Sequence, residues 1–265
     1  MMILIKGAGD LASGVAVRLA RCGFPVVMTD LEHPTSIRRT VCFSEAILKG
    51  SFSVEDVTAQ FAESTEDVPE ILKEGKIAVL ANPNAECIKA LRPDVVVDAI
   101  LAKRNLGTSM QDAPIVICLG PGFCAGTDCH AVIETMRGHD LGRVILEGSA
   151  EPNTGIPGNI GGYTVERVLR APIGGVFTEV RHIGDLVRKG DVVAYVGDEP
   201  IPASIDGVIR GLLPDGTPVT AGMKSGDIDP RPVLSHCYTV SDKARAIGGG
   251  VLEAIIMLQR RSDHV

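Results

Sequence analysis

The chain has 265 residues, of which 45% are hydrophobic but only 3% aromatic, with no tryptophan and a formal charge of −7. Its interior must therefore be packed from Val, Ile, Leu and Ala, a composition suited to buried parallel strands covered by helices. The acidic balance, with no basic cluster interleaved with aromatic rings, excludes a nucleic-acid platform. No apolar run approaches the ~20 residues of a spanning helix, and no signal-peptide pattern stands before the first strand, so a cytoplasmic protein without a membrane partner is expected.

Met2 to Lys6 form a short apolar strand. Gly7, Gly9 and Ala12 then make a G-x-G-x-x-A turn, followed by a helix with Leu11, Val15 and Leu19 at i, i+4 and i+8. Pro25 to Thr29 is a second strand and Asp30 closes it. This is the pattern of a dinucleotide-binding β-α-β unit, in which glycines let the backbone approach a pyrophosphate at the helix N-terminus. Gly7, Gly9 and Asp10 are the expected cofactor-binding residues of the turn. Asp30, about 20 residues further on, is the expected acceptor of ribose hydroxyls, with Glu32 as its alternative. Arg38 and Arg39 either meet an additional anionic group or lie on a solvated surface.

Residues 41 to 75 read as a helix over Glu45 to Lys49, a strand near Val54 to Thr58 and a helix over Val68 to Lys73. Strands follow at Ile77 to Leu80, Val95 to Ile100 and Ile115 to Leu119, with a brief helix over Glu86 to Leu91. Strands separated by helices indicate a parallel sheet whose ligands gather at the carboxyl ends. Those ends carry Asn82-Pro83-Asn84, then Asp98 followed by Ala102-Lys103-Arg104-Asn105, then Gly120-Pro121-Gly122-Phe123. Asp98, Gly120 and Gly122 join the expected cofactor-binding set, because a Gly-Pro-Gly loop exposes backbone N–H groups to an oxyanion. Asp128 and His130 are the catalytic candidates, as acid–base groups or, for Asp128, as a helix cap. Glu134 follows one helical turn after His130 and reads as a residue of that helix's wet face.

The seven cysteines form no disulfide scaffold and read mainly as small buried apolar residues. Cys124, Cys129 and His130 are spaced C-x4-C-H, which matches no zinc pattern, so no metal ligand is assigned. Arg143 to Leu146 is a further strand. The Gly/Pro/Asn-rich stretch from Glu151 to Tyr163 is too long for a plain connector and reads as a functional loop or hinge, closed by a helix over Thr164 to Leu169.

An internal duplication follows at an offset of 32 residues: Ala171-Pro172-Ile173-Gly174-Gly175-Val176 aligns with Ala203-Ser204-Ile205-Asp206-Gly207-Val208. Gly184, Val187 and Gly190 align with Gly216, Val219 and Gly222. The pattern resembles the barrel-sandwich fold of biotinyl and lipoyl carrier domains. The hairpin tip at Val196-Gly197-Asp198-Glu199 has no lysine to modify, so a carrier role is excluded. Residues 230 to 238 read as a return strand. Ser241 caps a last helix over Lys243 to Arg260, and its Gly248-Gly249-Gly250 run costs about 1 kcal/mol per glycine relative to alanine. That cost implies close helix–backbone or subunit contact, and a homo-oligomer is expected.

The expected fold class is therefore α/β, with three parts. A Rossmann-like parallel sheet with helices spans 1–169, a small β barrel-sandwich domain spans 170–238, and a C-terminal helix spans 239–265.

The stretches IKGAGDLASGVAVRL, VDAILAKRN, LGPGFCAGTDCHAVIET, RGHDLGRVI, EPNTGIPGNIGGYTVERVLRAP and KARAIGGGVLEAI resemble the YqeB-type accessory family linked with selenium-dependent molybdenum hydroxylases. The resemblance runs from about residue 3 to residue 255. It implies a role in maturing molybdenum hydroxylases of the xanthine dehydrogenase type or in supplying their cofactor, with such a hydroxylase as client. It carries over no catalytic residue. The ligand implied is a small nucleotide or nucleotide-bearing cofactor, with NAD(P) and molybdopterin dinucleotide as candidates. The alternative is an NAD(P)-dependent oxidoreductase acting on a small substrate with His130 or His139 as general acid, though no Tyr-x-x-x-Lys signature is present. A scaffold that keeps the opening turn for packing alone is a third reading, and the residues leave open whether the chain is an enzyme.

Overall fold

The structure is a computed structural model and describes residues 1–262. The last three residues of the expected C-terminal segment, 263–265, lie outside the described residues. The chain divides into two compact units, one built from Met1–Pro34, Cys42–Thr154 and the chain from Val240, the other from Thr35–Val41 and Gly155–Thr239. The first unit thus ends at Thr154 rather than at residue 169, and the last helix belongs to it. The second unit borrows seven residues from the N-terminal half.

The first unit opens with β1 (Ile3–Lys6), α1 (Asp10–Arg21) and β2 (Val26–Asp30). It continues through α2 (Glu45–Lys49), β3 (Ser51–Val54), β4 (Val57–Ala62), α3 (Val68–Lys73), β5 (Ile77–Ala81) and α4 (Ile88–Leu91). Then come β6 (Val95–Asp98), β7 (Ile115–Leu119), β8 (Ala131–Ile133) and β9 (Val144–Ile145), and the unit closes with α5 (Asp242–Ser262). Among the described residues nine strands form one sheet in the order β3-β4-β5-β2-β1-β6-β7-β8-β9. The inner pairings are parallel, whereas β3 runs antiparallel to β4 and β9 antiparallel to β8. Ile3, Leu4 and Ile5 of β1 are fully buried, as an all-aliphatic strand at the middle of a doubly covered sheet must be.

On one side of the sheet α1 and α5 pack together at small residues. A Cβ on Gly14 would lie 2.5 Å from the Ala244 methyl, and one on Gly248 3.2 Å from the Gly14 carbonyl oxygen. A Cβ on Gly250 would collide with the carbonyl oxygen of Gly142, whereas Gly249 faces open space. The glycine run is therefore a site of close backbone approach within the unit.

The second unit holds β10 (Val168–Arg170), β11 (Gly175–Glu179), β12 (Leu186–Val187) and β13 (Val192–Val196). After them come β14 (Glu199–Pro202), β15 (Gly207–Leu212), β16 (Pro218–Val219) and β17 (Lys224–Asp229). They form two antiparallel sheets of four strands, ordered β10-β17-β15-β12 and β14-β13-β11-β16. The duplication is visible in the pairing. Gly175 of the first copy opposes Val219 of the second, and the equivalent Gly207 opposes Val187. Phe177, Val193, Val196, Leu212 and Ile228 fill the core between the sheets. Arg39 belongs to this unit and ion-pairs with Glu179 at 2.7 Å, while Arg38 donates to the His236 carbonyl at 3.2 Å. Neither stands on a solvated surface.

The expected Rossmann-plus-barrel-sandwich layout does not hold. The large sheet is mixed instead of parallel, because the Glu55-Asp56 turn folds one expected strand into the β3–β4 hairpin and β9 returns antiparallel on the opposite edge. The other part is two separate antiparallel sheets that also recruit β10, so that the helix expected over Thr164 to Leu169 is cut to a 3-10 turn over Val165–Arg167 followed by strand. Residues 230–238 hold a 3-10 turn over Leu234–Cys237 instead of a return strand. Ala131–Ile133 form a strand in place of the expected helix, since three fully buried apolar residues complete the parallel sheet beside β7. Among the described residues no helix is long and apolar enough to cross a membrane.

Candidate functional site

The chain leaves β1 toward β2 and returns to the other side of β1 as β6. Such a reversal opens a crevice at the carboxyl ends of the two diverging strands. Lys6 and Asp98 are the last residues of β1 and β6 and stand in register. Both are almost completely buried. The Lys6 ammonium donates to Thr108 Oγ1 at 2.6 Å and lies 3.8 Å from Asp98 Oδ2. The Thr108 hydroxyl donates in turn to Asp98 Oδ2 at 2.6 Å, and the Ile100 amide donates to Asp98 Oδ1 at 3.2 Å. Burying two charges costs several kcal/mol per ion, and close pairing with supporting hydrogen bonds is what offsets it.

The loop after β6 is held in an unusual shape. Leu101 and Lys103 have φ of 61° and 62°, a left-handed conformation rare outside glycine. Asn105 ties the loop down: its Oδ1 accepts the amides of Gly107 and Thr108, both at 2.8 Å. Its Nδ2 donates to the Thr108 carbonyl at 2.8 Å and to Asp128 Oδ1 at 3.3 Å. Gly122, at φ +105°, packs its bare Cα against the same loop, where a Cβ would stand 2.5 Å from Arg104 N. Strained backbone persists only where its surroundings over-determine it, and such positions cluster at functional sites. Lys103 and Arg104 point exposed side chains out of this braced loop, and among the described residues neither forms an ion pair.

At the glycine turn the Asp30 carboxylate accepts backbone amides. Asp30 Oδ2 accepts the Ala8 amide at 2.7 Å and Oδ1 accepts the Leu31 amide at 2.7 Å. Burial raises the Asp30 pKa above the ordinary carboxylate value, against the effect of those two hydrogen bonds. The Ala8 carbonyl accepts from Ser13 Oγ at 3.1 Å and from the Ser44 amide at 3.0 Å. A Cβ on Gly7 would meet the Ala99 carbonyl oxygen at 3.1 Å, and one on Gly120 would meet Thr135 Oγ1 at 2.5 Å. The Cβ directions of Gly7 and Gly120 thus point at the protein's own atoms, and a carboxylate accepts from the Ala8 amide of the turn. Both Asp30 carboxylate oxygens are thus engaged with backbone amides, one in the turn and one just past β2.

Asp10 begins α1, and its charge acts on Lys243 of α5. The Lys243 pKa is lowered first by burial and then by Arg137, with Asp10 and Glu134 opposing. Asp128 uses Oδ2 to accept the Cys124 amide at 2.8 Å, in addition to its bond with Asn105. His130 lies before β8, where its Nδ1 accepts the Val116 amide at 2.9 Å and burial lowers its pKa. It is therefore at the amino end of β7 and β8, away from the crevice, and its ring serves sheet pairing. Glu134 Oε1 and Oε2 accept the amides of Met136 and Glu151 at 2.7 and 2.8 Å, so it braces two turns instead of facing solvent. A cleft of about 350 Å³ opens beside it, but its Asp140, Glu147 and Glu151 lining would repel a phosphate. Among the described residues no group of His, Cys, Asp and Glu is arranged to hold a metal ion. Among the same residues five cysteines are buried, and burial pushes the Cys87 thiol up to about 11, as expected of inert core thiols.

No protein-family model matches the chain. Over 260 residues the chain is 53% identical to the uncharacterized protein YqeB of Escherichia coli (strain K12), an alignment that takes in 98% of this chain and 48% of that protein. The chain is a homologue of YqeB. It spans about half the length of that curated relative. Among solved structures, an aspartoacylase family protein from Mesorhizobium loti is 12% identical with a TM-score of 0.27, over 77% of this chain and 56% of that one. A succinylglutamate desuccinylase/aspartoacylase from Rhodobacter sphaeroides is 13% identical with a TM-score of 0.26, over 86% and 84%. Likeness at that level assigns no activity.

Two residues of the buried group at the carboxyl ends of β1 and β6 in this YqeB homologue escape sequence reasoning. Lys6 is signalled only as the one charged residue of an aliphatic strand. Thr108 has no local signal, since its partners stand 102 and 10 residues away.

Proposed function

We propose that this chain is an accessory factor for molybdenum hydroxylases that holds a phosphate-bearing nucleotide ligand at the carboxyl ends of β1, β6 and β7. The observation that carries the ligand half of this reading is the braced left-handed loop, with Lys103 and Arg104 exposed beside the buried Lys6–Asp98–Thr108 group. Two cations on a loop of fixed shape suit a phosphate's charge without the cost of ordering the loop on binding. On this reading the phosphate sits at this loop, beside Lys103 and Arg104. The hydroxylase half is supported by the motifs shared with the accessory family. Isothermal titration with CTP, NAD(P), FAD and the molybdenum cofactor tests the ligand half. One of them should bind, with at least roughly tenfold lower affinity to a K103E/R104E variant, the loss of two favourable charge contacts. If a folded sample binds none of them, this reading fails.

A further inference from the structure

In the first unit α1 joins β1 to the parallel β2, so it runs against the strands and its last turn lies at their amino ends. Arg18 and Arg21 stand in that turn. Beside them are Val240 and Arg245 at the entry to α5, and the β3–β4 turn with Glu55 and Asp56. Glu55, at φ 55°, places its carboxylate between two guanidinium groups. Arg21 Nη2 donates to Oε2 at 2.6 Å, and Arg245 Nη2 donates to Oε1 at 2.6 Å. The Val240 amide donates to Oε1 at 3.0 Å, and Arg21 Nε donates to Asp56 Oδ1 at 3.0 Å. Burial acts to raise the Glu55 pKa, but these donors outweigh it and hold the group below the ordinary carboxylate value. Two arginines thus already converge on one carboxylate.

Arg18 joins this group without an acid of its own. Its Nη2 donates to the Arg245 carbonyl at 3.1 Å, and among the described residues it forms no ion pair. Arg245 uses Nε on the Val240 carbonyl at 3.2 Å. Among the described residues, Nε and Nη1 of Arg18 and Nη1 of both Arg21 and Arg245 take no hydrogen bond within the chain. A cleft of about 310 Å³ is lined by Arg18, Arg21 and Arg245 together with Val17 and Val240, and no acid is among its lining residues. Small-molecule pockets begin at about 300 Å³, so the space suits a compact ligand. Guanidinium donors beside apolar walls favour an anion there, because the valines lower the local dielectric.

We propose that this cleft receives a small oxyanion, a phosphate or carboxylate group, held by Arg18 with Nη1 of Arg21 and Arg245, next to Glu55 as the resident anion. The loop of Lys103 and Arg104 follows β6 at the opposite, carboxyl end of the sheet, so the site does not rest on the nucleotide reading. Calorimetric titration of inorganic phosphate into the K103E/R104E protein, at ionic strength held constant with sodium chloride, tests it with that loop's cations removed. Phosphate should bind saturably. Adding R18Q should weaken binding at least roughly tenfold, as loss of a charged donor to the anion requires. R18Q gives up one hydrogen bond to a carbonyl and should fold as the parent does. Adding E55Q instead should tighten binding at least roughly threefold, since a like charge beside the anion is removed. R18Q decides the matter where E55Q fails to fold. A K103E/R104E protein indifferent to phosphate, an R18Q loss short of that margin, or a folded E55Q form that binds no more tightly overturns the proposal.

Discussion

The Asp30 carboxylate closes the opening turn by accepting the Ala8 amide at 2.7 Å, so a side chain from β2 occupies the donor that follows β1. Burial raises the pKa of this group in the folded chain. The native state then binds its proton more readily than the unfolded chain does. Its contribution to stability is present below the unfolded value and is lost as pH rises through the folded one. Asp30→Asn removes the charge and keeps the Ala8 acceptor at the expense of the Leu31 one, a loss of about 0.5–1.5 kcal/mol that relief of the buried charge must exceed. The variant should unfold at a higher denaturant concentration than wild type at neutral pH, and the difference should vanish in acid. Urea titrations at several pH values measure this, and an asparagine variant that is weaker at neutral pH contradicts it.

The glycine run of α5 makes opposite predictions at adjacent positions. Gly249→Ala adds a methyl where nothing lies within 4 Å, so helix propensity alone acts and the variant should gain up to about 1 kcal/mol. Gly250→Ala drives a methyl into the Gly142 carbonyl oxygen and to 3.0 Å from Ile133 Cγ2. The same propensity gain is outweighed there, and a net loss of about 1–3 kcal/mol is expected from overpacking. Equilibrium denaturation of the two variants side by side separates local propensity from tertiary contact.

The first β-α-β unit is legible in the sequence because its signals are local: an aliphatic strand, a glycine turn, a 3.6-residue period and an acid closing the next strand. The partner of Asp30 is not legible. The same carboxylate serves a ribose or a backbone amide depending on side-chain direction, which spacing does not encode. The β3–β4 hairpin is hidden because Glu55 takes φ 55° at its turn, a conformation that a glycine would have advertised. Ala131–Ile133 are too few to show a strand's alternation, and only pairing with β7 makes them a strand. The recruitment of Thr35–Val41 into the second unit rests on long-range contacts such as the Leu212 amide to the Ile37 carbonyl, and nothing in the local sequence announces it. The internal repeat is readable from glycine and valine spacing, whereas the burial of Asp227 and Asp229 on β17 is not, since these residues look like ordinary surface positions.

Lys6 and Asp98 are coupled by burial. Lys6→Met leaves the Asp98 carboxylate buried without its cation, and a loss of about 3–5 kcal/mol is expected. Asp98→Asn leaves the ammonium in the same position and should cost a similar amount. The double variant removes both charges, so its loss should be smaller than the sum of the single losses by about 0.5–3 kcal/mol. A double-mutant cycle by urea unfolding gives that coupling directly. Additive losses would show that Thr108, and not the ion pair, dominates the group.

Gly122 and the pair Lys103–Arg104 separate the shape of the loop from its charge. A methyl at Gly122 meets Arg104 N at 2.5 Å, and the backbone there stands at φ +105°, a region unfavourable for alanine. Gly122→Ala should therefore cost about 1–3 kcal/mol and release the loop, with faster proteolytic cleavage near residues 101–105. Its nucleotide affinity should fall although both cations remain. K103E/R104E changes only exposed side chains, so its stability should stay within about 0.5 kcal/mol of wild type, while its affinity falls and no longer weakens as salt is added. If Gly122→Ala instead binds normally with a released loop, the left-handed conformation of Leu101 and Lys103 serves packing and not recognition, and the ligand contacts must lie elsewhere along the carboxyl ends of the sheet.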